Sequence, residues 1–203
     1  MKIIAIGRNY AEHAKELHNE IPTEPVLFMK PETAVIPKNF PFYIPSFSNE
    51  IHYETELVLK ICKLGKNISE RFASSYFEEI TVGLDFTARD IQKKCKDTGL
   101  PWEKAKAFDG SAMIGKFINK KSIPDLKNIH FHLNIKGDLK QKGNSADMLL
   151  SFEKIISHAS TYFTLKQGDM IFTGTPAGVG PVKEGDVLDG FIEEQQLFSL
   201  RVL

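Results

Sequence analysis

The chain has 203 residues, which is enough for one well-buried domain or at most two small ones. The chain has 26 basic residues (lysine and arginine) and 26 acidic ones (aspartate and glutamate), so its net charge is zero. It lacks the excess of positive charge that is typical of proteins that bind nucleic acid. No apolar run approaches the ~18–20 residues of a membrane span. Neither nucleic acid nor a membrane is therefore expected as a partner.

The N-terminal segment is predicted to form a first strand near residues 2–6. The stretch 1–8 is too short and too soon charged for a signal peptide. Cys62 and Cys95 have no metal-binding spacing, and two cysteines in a chain of this length fit a reducing compartment. We therefore expect a cytoplasmic protein.

Strands dominate the predicted elements. They are predicted near 2–6, 26–29, 51–61, 80–85, 112–117, 129–136, 169–173, 187–193 and 196–202. Helices are predicted near 9–18, 69–78, 87–97 and 147–163. The prolines between residues 20 and 50 indicate extended, turn-rich chain. Because no linker divides the sequence, we expect one domain, residues 1–203, of the α+β class and mainly β.

The first predicted helix carries His13 and Glu16. Their i, i+3 spacing places both side chains on one helical face. A carboxylate beside an imidazole orients the ring and raises its basicity, which suits a general base. The alternative is a solvated pair on a surface helix, where this spacing is common.

The predicted strand 51–61 carries Glu54 and Glu56. Side chains alternate along a strand, so the two carboxylates lie on the same side, about 7 Å apart. The apolar residues around them indicate that the strand is not at the surface. A half-buried pair of like charges needs a compensating cation, and a divalent ion with oxygen ligands meets this need. The alternative is an edge strand with two solvated glutamates.

Asp85 ends the predicted strand 80–85, immediately before the helix near 87–97. A carboxylate at a strand end beside a helix N-terminus is well placed to face a pocket. Together with Glu54 and Glu56 it would complete an oxygen site that suits Mg²⁺. The alternative role for Asp85 is a helix cap.

Two later segments offer ligand-binding groups. Lys106 lies in the stretch 99–110, which holds the only tryptophan, and a lysine there can pair with a substrate carboxylate. The glycine-rich loop 173–181 follows an apolar strand, and its N–H groups can hold a carboxylate or phosphate. The loop lacks the Gly-Lys-Ser/Thr ending of a nucleotide P-loop. The alternatives are a solvated lysine and a plain β-turn.

Taken together, six segments resemble the fumarylacetoacetate hydrolase family. They are residues 7–13, 30–31, 52–57, 84–90, 105–109 and 172–180, and they include Glu-Thr-Glu at 54–56 and Leu-Asp-Phe-Thr-Ala-Arg-Asp at 84–90. The chain is most similar to short members resembling acylpyruvate hydrolases, oxaloacetate decarboxylase/tautomerases and 2-hydroxyhepta-2,4-diene-1,7-dioate isomerases. The resemblance covers nearly the whole chain. It implies a mixed β-roll with a few short helices, a homodimer and one divalent metal ion per subunit.

The same resemblance implies a role for nine residues. The metal ligands would be Glu54, Glu56 and Asp85, with Mg²⁺ as the ion and Mn²⁺ accepted in the same octahedral oxygen geometry. The acid–base dyad would be His13 and Glu16, on an N-terminal lid within residues 1–20. The contacts to a small 2-oxo acid would be Arg8, Gln92, Lys106 and Thr175, and Lys106 is also a candidate for proton transfer.

These roles favour hydrolysis of a C–C bond in a 2,4-dioxo acid of the acylpyruvate type. The metal would stabilise an enolate, and His13 with Glu16 would activate water. Oxaloacetate decarboxylation or tautomerisation, or isomerisation of a 2-hydroxy-diene-dioate, is the alternative at the same site. A non-catalytic β-domain that binds a small acid is a third hypothesis, and the full set of five acid–base and metal residues argues against it.

Overall fold

The computed structural model describes residues 1–16 and 24–203. Its strands are β1 Ile3–Gly7, β2 Val26–Lys30, β3 Ile51–Tyr53, β4 Thr55–Ile61, β5 Phe77–Asp85, β6 Thr87–Ala88, β7 Ala112–Ile114, β8 Ile118–Asn119, β9 His130–Ile135, β10 Asp138–Asn144, β11 Met170–Phe172, β12 Gly180–Pro181, β13 Val187–Ile192 and β14 Gln195–Arg201. Its α-helices are α1 Ala11–Glu16, α2 Glu70–Ala73, α3 Arg89–Thr98, α4 Glu103–Lys106 and α5 Phe152–Tyr162. Short 3-10 turns cover Glu32–Ala34, Ser74–Tyr76, Lys120–Ser122 and Ser145–Asp147.

Within the described residues, the largest sheet has seven strands in the order β2-β1-β11-β4-β5-β7, with β8 also paired to β5. β1 and β11 are parallel, and β4 is antiparallel to both β11 and β5. A second sheet has the order β10-β9-β13-β14, and a third, of short strands, has the order β12-β3-β6. This is the α+β, mainly β, architecture that the sequence predicts.

The core lies between the two larger sheets. Buried and partly exposed residues alternate along β9 and β13, as expected for strands that bury one face. The buried side chains of β9 are Phe131, Leu133 and Ile135. In contrast, β4 and the second half of β5 are buried on both faces, because they occupy the middle of the large sheet. The carboxylates that these central strands carry are therefore removed from bulk water.

Several predicted elements differ in their limits. The predicted strand 51–61 is interrupted at Glu54, which separates β3 from β4. The predicted helix 69–78 is shorter, since α2 gives way to a 3-10 turn and β5 begins at Phe77. Thr87 and Ala88 form a short strand before α3, and α4 lies in a stretch where no helix is predicted.

Both ends of the predicted helix 147–163 move inward. Its α-helical part begins at Phe152, where the Ser151 hydroxyl accepts the N–H of Lys154 as an N-cap. The predicted helix 9–18 is helical over Ala11–Glu16, and residues 17–18 lie outside the described part of the chain. The same applies to residues 17–20 of the predicted lid. Among the described residues, no helix is both long enough and apolar enough to cross a membrane.

Candidate functional site

Three buried carboxylates converge where β4 and β5 meet. Glu56 on β4 pairs with Gly83, and the N–H of Asp85 donates to the Glu54 carbonyl at 2.8 Å. Glu54 lies in the break between β3 and β4, two residues before Glu56, and Asp85 lies across from Glu54 at the end of β5. One carboxylate oxygen from each residue lies within 4.8 Å of the other two. The alternation predicted from the sequence thus places both glutamates at one point, although the strand is broken at Glu54.

Lys106 reaches this cluster from α4. Its Nζ lies 2.6 Å from Glu54 Oε2 and 2.8 Å from Asp85 Oδ2, and it donates to Thr87 Oγ1 at 2.7 Å. Burial lowers the pKa of Lys106, but the carboxylates of Asp85 and Glu54 outweigh it and raise the pKa above its usual value. Lys106 therefore remains charged at neutral pH and acts here as a donor rather than as a base.

Two further cations bind the cluster, and the sequence gives no role to either. Lys30 Nζ lies 2.6 Å from Asp85 Oδ1, and Arg89 Nη2 lies 2.6 Å from Glu54 Oε1. Burial raises the pKa of Glu54, but Lys106 and Arg89 together lower it well below its ordinary value. Both cations lie in the segments that carry the family resemblance, so the motifs contain them without revealing what they contact.

Glu56 is the carboxylate with the least compensation. Its pKa is raised well above the ordinary value by burial and then by the charges of Asp85 and Glu54. Its Oε2 accepts the N–H of Gly174 at 2.7 Å. A divalent cation would relieve this crowding of negative charge.

The donor set fits a divalent metal ion. The three side chains each offer an oxygen, and these oxygens all lie within 4.8 Å of one another. Carboxylate oxygens are also the ligands that such hard ions prefer. Glu54, Glu56 and Asp85 can therefore hold a divalent metal ion.

His13 and Glu16 form the contact that their spacing predicts. His13 Nδ1 lies 3.1 Å from Glu16 Oε2, and Glu16 Oε1 accepts the N–H of Gly178 at 3.0 Å. His13 is 5% exposed. Burial lowers the pKa of His13, and the nearby carboxylates of Glu54 and Glu16 oppose this only in part. The imidazole is therefore neutral at neutral pH, and a proton on Nδ1 shared with Glu16 leaves Nε2 as an acceptor.

The glycine-rich loop binds carboxylates, but they are the protein's own. The N–H of Gly174 holds Glu56, and that of Gly178 holds Glu16. Gly174 has a φ of 100°, and a Cβ there would lie 2.7 Å from the Asn9 Cβ, so the loop requires glycine at this position.

A cleft joins these groups. Seven of the nine predicted residues line it: Arg8, His13, Glu54, Glu56, Gln92, Lys106 and Thr175. Asp85 lies beneath it with no exposed surface, and Glu16 reaches it through His13. Six residues without a predicted role complete the wall: Ile6, Gly7, Phe28, Arg89, Lys96 and Trp102. The roles of the nine residues remain predictions, but the fold brings them to one place.

Comparison with known proteins identifies relatives over most of the chain. The family model described as fumarylacetoacetate (FAA) hydrolase C-terminal matches residues 2–201. A mitochondrial oxaloacetate tautomerase of Bos taurus is 43% identical over 94% of this chain and 86% of its own length. A mitochondrial oxaloacetate decarboxylase of Dictyostelium discoideum is 45% identical over 92% of this chain and 86% of its own length.

A solved structure also overlaps the entire chain. It is the fumarylpyruvate hydrolase of Pseudomonas aeruginosa in complex with Mn²⁺ and pyruvate. That protein is 35% identical to this chain. The superposition covers 100% of this chain and 89% of that protein, with a TM-score of 0.93. The mixed β-roll that the resemblance implies is therefore confirmed.

Proposed function

Since the chain belongs to the fumarylacetoacetate hydrolase family and is an enzyme of that family, we propose that it tautomerises oxaloacetate between its keto and enol forms. The observation that carries this proposal is the meeting, in one cleft, of a carboxylate triad and a buried His13 that contacts Glu16. The names of the curated relatives favour oxaloacetate over an acylpyruvate. What the sequence alone offers as the alternative reaction thus becomes the main proposal.

The proposed cofactor is a divalent ion, Mg²⁺ or Mn²⁺, held by Glu54, Glu56 and Asp85. When bound, it would polarise the 2-oxo group and stabilise negative charge on that oxygen. The chemistry of the three carboxylates supports this assignment, as does the Mn²⁺ found in the Pseudomonas aeruginosa neighbour.

In the proposed reaction His13 moves the proton. Its neutral Nε2 accepts a proton from C3 of the keto form, and the resulting imidazolium delivers that proton to the 2-oxo oxygen to give the enol; the reverse reaction follows the same two transfers backwards. Glu16 holds the ring through Nδ1 and stabilises the imidazolium that forms. Gln92 and Thr175 would contact the 2-oxo acid, and both are fixed: Gln92 accepts from Arg89 Nη1 at 2.7 Å, and Thr175 Oγ1 accepts from Gln141 Nε2 at 2.8 Å.

A second reaction at the same cleft is hydrolysis of a C–C bond in an acylpyruvate. The specific support is the His13–Glu16 contact, which can activate water, together with the fumarylpyruvate hydrolase neighbour. Lys106 is less suited to proton transfer than the sequence suggests, because the nearby carboxylates keep it charged.

A panel of substrates tests the proposed function. Oxaloacetate tautomerisation, oxaloacetate decarboxylation and the hydrolysis of acetylpyruvate and fumarylpyruvate are each measured with Mg²⁺ and with Mn²⁺. Tautomerisation is expected to be the fastest reaction, and removing the metal should abolish it. Faster hydrolysis would favour the second reaction. No turnover together with no metal binding by calorimetry would favour a non-catalytic acid-binding domain.

The rate of tautomerisation should fall only at acidic pH. Burial holds the pKa of His13 below its ordinary value of 6.5, so the ring stays deprotonated until the pH falls below that value. We expect kcat/KM to be flat above about pH 6.5 and to decrease tenfold per pH unit well below the pKa of the free enzyme. A pH profile of kcat/KM checks this. A midpoint above 6.5 would contradict the role of a buried, neutral His13.

We also propose a cytoplasmic homodimer. The free thiols of Cys62 and Cys95 are consistent with a reducing compartment. Dimerisation rests on the family resemblance, and sedimentation of the purified protein tests it.

A further inference from the structure

One face of α3 presents three polar side chains to the cleft. Arg89, Gln92 and Lys96 follow one another at i, i+3 and i+7, which places them on the same side of the helix. All three line the cleft. Arg89 and Gln92 are bonded to each other, and Arg89 also binds Glu54. Lys96 lies one turn further along the same face.

Arg8 lines the same cleft from the end of β1. Its φ of 62° is in the left-handed region, which a residue with a side chain rarely adopts. Such backbone persists where the surrounding fold holds it, and functional sites are frequent examples. Among the described residues Arg8 forms no ion pair, and its buried Nε has no hydrogen-bond partner. Its charge is therefore available to a ligand.

Arg8 and Lys96 line the same cleft, one from the end of β1 and the other from α3. Burial and then the charge of Arg8 lower the pKa of Lys96 to about 8. Lys96 Nζ also lies 5.7 Å from the ring centroid of Trp102. Two cations that line one cleft raise the local concentration of anions there. An arginine fork beside a lysine is a suitable arrangement for a carboxylate.

The cations of the carboxylate cluster serve a different purpose. Lys30, Lys106 and Arg89 are each within 2.8 Å of a carboxylate oxygen of Glu54 or Asp85. Their charges compensate groups of the protein itself. Arg8 contacts none of these carboxylates among the residues that the structure describes, which separates it from the metal-binding part of the site.

We infer that Arg8 and Lys96 form a subsite for the second carboxylate of a dicarboxylic 2-oxo acid. This inference rests on the proposed function and specifies its substrate class: the site selects diacids of the oxaloacetate type over 2-oxo acids with an uncharged end. It also moves Arg8 from the 2-oxo end of the substrate, where the family resemblance suggests it, to the opposite end. Gln92, Lys106 and Thr175 remain at the 2-oxo end.

A matched pair of ligands tests the subsite. Oxaloacetate and its C4 amide, 2-oxosuccinamate, have nearly the same shape and differ in the charge at the second carboxyl group. The KM of each is measured for the wild type and for Lys96→Gln and Arg8→Gln. A charge-assisted contact is worth about tenfold in affinity, so each variant should raise the KM of oxaloacetate about tenfold and leave that of the amide within about twofold.

The control is Lys93→Gln, which removes one positive charge from the exposed side of the same helix. It should leave both KM values unchanged, so that a general loss of positive charge is distinguished from a subsite. Thermal melting of each variant confirms that the fold is retained.

Two outcomes overturn the inference. Equal increases in both KM values would show that Arg8 and Lys96 contact the 2-oxo end, which the two ligands share. No change in either KM value would show that Arg8 and Lys96 do not contact the substrate. Failure of the proposed function is distinguishable, because the wild type would then turn over neither ligand. In that case calorimetric Kd values for the same two ligands decide whether the cleft prefers the diacid.

Discussion

Glu56→Gln is expected to stabilise the metal-free protein and to abolish its stabilisation by metal. The folded protein raises the pKa of Glu56, so its ionisation destabilises the fold as the pH rises above the unfolded value of 4.5. Glutamine removes this cost and retains an oxygen for the N–H of Gly174. A gain of about 1 kcal/mol would raise the Tm by roughly 2–4 °C at pH 7.

The increase in Tm on adding a divalent ion should become smaller in Glu56→Gln, although the Tm of the metal-free protein rises. A saturating divalent ion at one hundred times its Kd stabilises the wild type by about 2.7 kcal/mol, or roughly 5–10 °C in Tm. Glu56→Gln should lose most of this shift, and oxaloacetate turnover should fall at least about 100-fold.

The matched control for this variant is Glu78→Gln, which neutralises an exposed glutamate on β5. It should leave the Tm and its metal response unchanged. Differential scanning calorimetry with and without Mg²⁺ provides both values. A Glu56→Gln protein that is less stable without metal, yet equally stabilised by it, would contradict the assignment of Glu56.

His13→Ala is expected to separate two reactions of oxaloacetate. Tautomerisation requires a proton to leave C3, and loss of a positioned general base typically costs 10²–10⁴-fold in rate. Decarboxylation breaks the C3–C4 bond without first removing that proton, so its rate should fall less than about tenfold. Enol absorbance reports the first reaction, and CO₂ release reports the second.

Glu16→Gln should have a smaller effect on tautomerisation, because the imidazole remains but loses its charged partner. His130→Ala, which removes an exposed histidine from β9, is the control and should change neither rate. Equal losses of tautomerisation and decarboxylation in His13→Ala would show that His13 binds substrate or supports the fold rather than moving the proton.

Much of the carboxylate site follows from local sequence patterns. The two-residue period of a strand places Glu54 and Glu56 together, and the i, i+3 spacing places His13 beside Glu16. These relationships involve neighbours in the chain, so periodicity places the side chains together but leaves open whether they form a site or solvated pairs; the family resemblance favours a site. The fold class is also accessible, because apolar runs separated by turn residues dominate the sequence.

The ion pairs around the triad are not accessible in this way. Lys30 contacts Asp85, which lies 55 positions later in the numbering, and the pairing depends on how β2, β1, β11, β4 and β5 are ordered in the sheet. The sequence pattern does not specify that order. The break at Glu54 has a similar origin, since β3 leaves the large sheet to pair with β6 and β12.

The loop around Gly174 and Gly178 joins two parts of the site that are distant in sequence. One of its N–H groups holds a carboxylate of the triad, and another holds the partner of the imidazole. Displacing this short segment would therefore disturb ion affinity and base orientation together. We therefore expect an ion bound at Glu56 to favour the contact between Glu16 and this loop as well, because both carboxylates bind the same short segment. Metal affinity and the orientation of the base would then be coupled through two backbone amides.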